Sequence, residues 1–172
     1  LLEEFHEGII ALSACLAGEV PKYLARGMYD EAKEIALWHE SCFGNGNYFL
    51  ELQDHGLAEQ SMVNQQLVRL SRETGIGLVA TNDSHYTYDS DAEAHDILLC
   101  IQTGKKLSDE NRMRYEGGQY FVKSEEEMRG LFPYAPEAIE NTAKIAERCH
   151  VEIEFGVTKL PHYEVPEGYD SW

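Results

Sequence analysis

Positive charge is scarce in this sequence. Of its 172 residues, 14 are Lys or Arg against 31 Asp or Glu, a formal net charge of −17. A surface that negative repels a phosphate backbone, which makes the chain a poor candidate for a main nucleic-acid contact surface. Divalent cations are compatible with it, and a metal-lined pocket could still accept a phosphodiester. No apolar run reaches the ~20 residues that a membrane-spanning helix needs, and no stretch resembles a signal peptide, so no membrane partner is expected. The four cysteines, Cys15, Cys42, Cys100 and Cys149, form no C-x-x-C pair and no dense framework. That excludes a disulfide scaffold and points to a reducing cytoplasm. With 43% hydrophobic residues the chain can still build a sizeable core, and one domain is expected.

What is present is a repeat of strand followed by helix. The chain begins at Leu1 rather than at a methionine, which suggests a piece of something longer, and Leu1–His6 reads as the end of a helix stopped at Gly8. Ile9–Ala14 reads as a buried strand, followed by a helical region from about Glu19 to Ser41 that breaks near Gly27. Asn45-Gly46-Asn47 makes a turn into a strand at Tyr48–Leu52. Ala58–Thr74 then carries Met62, Val63, Leu67, Val68 and Leu70 at helical spacing. Leu78–Ala80, between Gly75 and Gly77 on one side and a polar run on the other, suits a strand buried on both faces; a helix from about Ser90 to Thr103 follows. Three successive strand–helix units imply parallel strands with right-handed crossovers.

In such folds chemistry collects where the strands end. Here the three ends read Ser13-Ala14-Cys15-Leu16-Ala17-Gly18, Glu51-Leu52-Gln53-Asp54-His55-Gly56 and Asn82-Asp83-Ser84-His85. On an extended chain Asp83 and His85 share a facing and could ligate one hard or borderline ion such as Zn²⁺ or Mn²⁺. The plainer alternative is an Asp capping the next helix beside a surface His. Cys15 is a buried small hydrophobe or a third ligand. His55 is a pocket residue or a solvated loop His, and Glu51 faces either the rim or the helix layer.

These stretches, Ile9–Val20, Tyr48–Gly56 and Ala80–Tyr86, resemble in order and spacing the polymerase and histidinol phosphatase (PHP) domain of bacterial DNA polymerase III alpha subunits. The resemblance continues through Gln119–Met128, Asn141–Cys149 and Leu160–Tyr163, which look like the connection from that domain towards the palm. The fold it implies is α/β, a fragment of a distorted parallel (β/α)₇ PHP barrel followed by a small helical connection. Residues 1–110 would be the C-terminal half of the barrel, 111–156 the helical connection packing on it, and 157–172 a linker with Trp172 near its end. Within 111–156, Ser124 and Glu127 form a capping box opening a short helix to about Phe132, and Pro136–Cys149 is a helix with an apolar stripe at Ile139, Ala143, Ile145 and Ala146.

The resemblance also implies a site. Cys15, Asp83 and His85 match metal ligands of the family, whose complete domain holds up to three ions, usually zinc or manganese. An intact set is associated with a metal-dependent 3′→5′ exonuclease, a depleted one with a scaffold that braces the polymerase or docks a proofreading subunit. The His-x-His that opens the family's pattern does not occur in this chain. Polymerisation, with its palm carboxylates and Mg²⁺, would lie outside these residues, so DNA, dNTPs and other replisome subunits are partners expected of the parent protein. A free-standing PHP phosphatase acting on a small phosphomonoester is the other enzymatic alternative. The 172-residue piece by itself is expected to be inactive and to self-associate.

Overall fold

The computed structural model describes residues 1–161 and 163–168; the expectations for His162 and Trp172 lie outside the described residues. After a single turn α1 (Leu2–Phe5) come β1 (Ala11–Leu12), α2 (Glu19–Ala25), α3 (Tyr29–Phe43), β2 (Tyr48–Leu52), α4 (Ala58–Thr74) and β3 (Gly77–Ala80). A 3₁₀ turn (Asp89–Asp91) leads into α5 (Ala92–Thr103), and α6 (Glu125–Leu131) and α7 (Pro136–Arg148) complete the order. The strands form one parallel sheet in the order β1-β2-β3, with Leu12 opposite Phe49 and Glu51 opposite Val79. This mixed α/β architecture is consistent with the partial PHP barrel that the resemblance implies.

Period-two alternation along β2 divides the sheet's two faces. Tyr48, Leu50 and Leu52 join Leu78, Ala80, Val63, Leu67 and Leu70 in one core, whereas Phe49, Glu51 and Gln53 alternate to the other side. Helix α4 buries Val63, Leu67 and Leu70 and leaves Met62 exposed, as a 3.6-residue period requires when one face meets the sheet. Gly75, left-handed at φ 82°, ends it.

Residues 124–148 are part of the same core rather than an appendage. Phe132, Ala135 and Ala138 are completely buried in it, and Asn141 Nδ2 donates to the Leu78 carbonyl at 2.8 Å. At the far end of α7, Arg148 donates to the Gly46 carbonyl at 2.7 Å and bonds Asn47 Oδ1. The capping box opening α6 is present: the Glu127 N–H donates to Ser124 Oγ at 3.2 Å, and Glu127 accepts from the Ser124 N–H at 2.8 Å.

Two expectations change. The strand read over Ile9–Ala14 shrinks to the half-buried Ala11–Leu12, because Ile9 is exposed and Ala14 turns left-handed at φ 64°. The apolar stripe of α7 is buried only at its first turns. Ala138 and Ile139 are covered, while Ala143 lines an open groove of about 550 Å³ with Ala80, Lys123 and Met128, and Ala146 is exposed. Ile145 is half-buried.

Candidate metal-binding rim

Because the strands are parallel, their C-terminal ends lie at one end of the sheet, and the loops after them carry the polar side chains. The first loop is closed by the Gly18 N–H donating to the Cys15 carbonyl at 2.8 Å. It is tight enough that a Cβ on Gly18 would stand 2.2 Å from the Ser13 carbonyl oxygen, so glycine is required by contact rather than by its backbone angles. Cys15 is half-buried, and all four cysteines are free thiols.

The third loop is not the extended segment that would give Asp83 and His85 a common facing. Asp83 is left-handed, φ 45°, which breaks the two-residue alternation. What fixes the pair instead is local hydrogen bonding: His85 Nδ1 lies 2.6 Å from the Asp83 carbonyl oxygen. A carbonyl can only accept, so Nδ1 is the donor, and in the neutral imidazole Nε2 keeps its lone pair. The segment is pinned to a distant stretch of chain. The His85 N–H donates to the Tyr120 carbonyl at 2.8 Å, Asn82 Nδ2 donates to the carbonyls of Gln119 (3.1 Å) and Phe121 (2.6 Å), and Tyr86 bridges Phe121.

Around the His85 ring stands an aromatic wall, with Tyr115 at 4.3 Å between centroids, His95 at 5.5 Å and Tyr120 edge-on at 5.7 Å. Burial, and next the neighbouring His85, lower the pKa of His95. Tyr115 belongs to the 105–118 loop, which reaches this place because Arg112 clamps Asp96 of α5 through two bonds of 2.5 and 2.6 Å. The Arg112 hydrogen bond holds Asp96 below the usual carboxylate range. Sequence reasoning left out His95, Tyr115 and Tyr120. The available signal was the density of His and Tyr at 85–95 and 115–120.

His55 is a buried structural residue, 3% exposed. Its Nε2–H donates to the Asn82 carbonyl at 2.8 Å, its Nδ1 accepts from Gln60 Nε2 at 2.8 Å, and its ring stacks on Tyr120 at 3.9 Å. Gln60 Oε1 in turn accepts the His55 N–H, and Asn64 Nδ2 donates to the Gln53 carbonyl. The polar pair Gln60 and Asn64, four apart on the buried face of α4, was the sequence signal that this helix serves the end of β2. Glu51 is directed to the rim, in contact with all three strand ends.

The donor types suit zinc or manganese: a thiol, a carboxylate and an imidazole whose free Nε2 is set by a backbone anchor on the other nitrogen. In number they are only part of a centre. Among the described residues no three Asp, Glu, His or Cys side chains stand close enough together to hold an ion, so Cys15 is not gathered with Asp83 and His85 into one cage. The residues fit as contributors to a metal site shared with other parts of a barrel.

Comparison with known proteins agrees with this partial character. A model of the PHP domain matches residues 1–55. The DNA polymerase III subunit alpha of Borreliella burgdorferi is 46% identical over 171 residues, 99% of this chain and 15% of that protein. The same subunit of Treponema pallidum is 46% identical over 171 residues with the same shares, and that of Deinococcus radiodurans 47% over 174 residues, 98% of this chain and 13% of that protein. The chain thus spans only 13–15% of the length of these relatives. Matched to them almost from end to end, and to the PHP domain through its first two strands, the chain is similar to a segment of DNA polymerase III alpha subunits that includes part of the PHP domain.

Proposed function

We propose that this chain is the metal-ligating rim segment of a PHP module carried by a replicative DNA polymerase, and that the module is a metal-dependent phosphodiesterase of 3′→5′ exonuclease character. One observation supports it above the others: relatives named for the polymerase match 98–99% of the chain, and the Asp83–His85 pair stands at the end of β3 with an imidazole nitrogen left free. That context also favours a polymerase module over a small-molecule phosphatase.

Asp83, His85 and Cys15 are the residues that would hold zinc or manganese, Cys15 as thiolate. When bound, such ions supply Lewis acidity and a water of lowered pKa. The chain's own part is to orient donors. The Asp83 carbonyl keeps the proton on Nδ1 of His85, and Tyr115, Tyr120 and His95 restrict the ring. DNA synthesis, with its DNA, dNTP and Mg²⁺ requirements and its replisome partners, belongs in this reading to the parent subunit outside these residues.

A scaffold role is the second reading, favoured by the incomplete donor set among the described residues and by the fused core of α6 and α7. A metal-supplemented exonuclease assay on the complete subunit separates the two. Metal-dependent cleavage lost in His85→Ala supports the enzyme; cleavage unaffected by that substitution, or absent from the wild type, supports the scaffold.

A further inference from the structure

Glu51 touches the ends of all three strands at once. Its Oε2 accepts the Ala14 N–H at 3.0 Å, immediately before Cys15. Its Oε1 accepts from Gln53 Nε2 at 3.0 Å and from the hydroxyl of Thr81, two residues before Asp83. Its own N–H donates to Ser13 Oγ at 2.8 Å. Both carboxylate oxygens are engaged by protein donors, and among the described residues Glu51 has no ion-pair partner. This is the pattern of an acceptor that joins loops, rather than of a ligand presented to an ion.

We propose that Glu51 is a positioning residue that sets the Cys15 loop in register with the Asp83–His85 segment. The proposal rests on the reading of those three residues as metal ligands. Each arm has a local reason to need a fixed acceptor. Ala14 holds a left-handed backbone angle that an alanine adopts rarely, and the loop it opens has no slack at Gly18. Thr81 is the last residue paired to β2, its N–H on the Leu52 carbonyl at 3.0 Å, before the chain turns left-handed at Asp83. A carboxylate is an acceptor on both oxygens, so it takes a donor from each side without having to choose an orientation. Shape and acceptance, not charge, are what the arrangement uses.

Three substitutions in the complete subunit follow from this. Glu51→Ala leaves the Ala14 N–H and the Thr81 hydroxyl without their acceptor, leaves Gln53 Nε2 only its 3.2 Å bond to Thr81 Oγ1, and releases both loops. Glu51→Gln retains function, because Gln53 Oε1 has no partner and its amide can turn over, while the Thr81 hydroxyl can rotate to accept. Thr81→Val removes one arm alone.

Hydrogen exchange of the peptides covering residues 13–18 and 81–86, and zinc affinity by chelator competition, read the outcome. Glu51→Ala is expected to speed exchange in both peptides about tenfold and to weaken zinc binding about 10- to 100-fold, the usual effect of losing an outer-shell partner. Glu51→Gln should match wild type in both readouts, and Thr81→Val should loosen 81–86 only. Glu51→Ala without effect, an effect on one peptide only, or Glu51→Gln as damaging as Glu51→Ala would each overturn the proposal. If Glu51→Ala does not fold, Thr81→Val decides: unchanged exchange at 81–86 overturns it. His85→Ala is the control. Zinc binding unchanged in His85→Ala while Glu51→Ala still loosens both loops would remove the ligand reading and leave the register role standing.

Discussion

His55→Ala should destabilise the chain by about 3–5 kcal/mol. The side chain is 3% exposed, and its removal strands two buried groups, the Asn82 carbonyl and the Gln60 amide, each 2.8 Å from a ring nitrogen. A buried polar group left unpaired costs about 1–3 kcal/mol. Losing the stack on Tyr120, with centroids at 3.9 Å and planes within 11°, adds about 0.5–1.5 kcal/mol. Urea unfolding of the 172-residue chain, followed by circular dichroism at a concentration where one species is present, is the assay. With a urea slope of about 2 kcal/mol per molar, the midpoint should fall by roughly 2 M. Tyr120→Phe, which keeps the ring, should move it by less than about 0.3 M, as expected for a change of about 0.5 kcal/mol. A fall below about 0.5 M for His55→Ala would show that the Asn82 and Gln60 contacts are not maintained in solution, and with them the anchoring of the 82–86 segment.

Other perturbations test separate parts of the account. Gly18→Ala places a methyl against the Ser13 carbonyl and should cost about 2–3 kcal/mol or displace the Cys15 loop, visible as altered amide shifts at residues 13–18; an unchanged loop would contradict the contact. Glu73, hydrogen-bonded by Lys33 and Arg69, has its pKa held down to about 2 from the usual 4.5. Because the folded value is the lower one, its contribution is complete above pH 4.5 and is lost as pH falls towards 2. Glu73→Gln should therefore flatten the acid limb of the stability curve in that window, and a carboxyl NMR titration with a midpoint near 4.5 would rule this out. The 172-residue chain should self-associate, since β1 and β3 are sheet edges and Leu1, Leu2, Phe5 and Ile9 are exposed beside β1. Light scattering that shows a monodisperse monomer at every concentration would contradict it.

Local signals made the helices and two of the strands legible in the sequence. Tyr48–Leu52 and Ala58–Thr74 have clean periods and turn residues at both ends, and the structure ends them at the same residues. Ser124 and Glu127 disclosed a helix start through a box closed within four residues. The rim was legible in its residue types and not in its geometry. The left-handed angle at Ala14 carries no signature in residue type, and that at Asp83 only the weak one that Asp adopts it more readily than most; each overturned an inference from strand alternation. The facing of Glu51 follows from an alternation that is visible, but its partners lie 37 and 30 residues away. His55 could not be told from a solvated loop histidine, because what buries it comes from Asn82 and Tyr120, brought near only by the fold.

The claim that organises all of this is that Asp83 and His85 ligate metal. Elemental analysis of the complete alpha subunit, purified without chelator, tests it most directly. The account predicts bound zinc or manganese in the wild type and a loss of at least one equivalent in both Asp83→Ala and His85→Ala. Metal content unchanged in both variants would contradict it and make the pair structural.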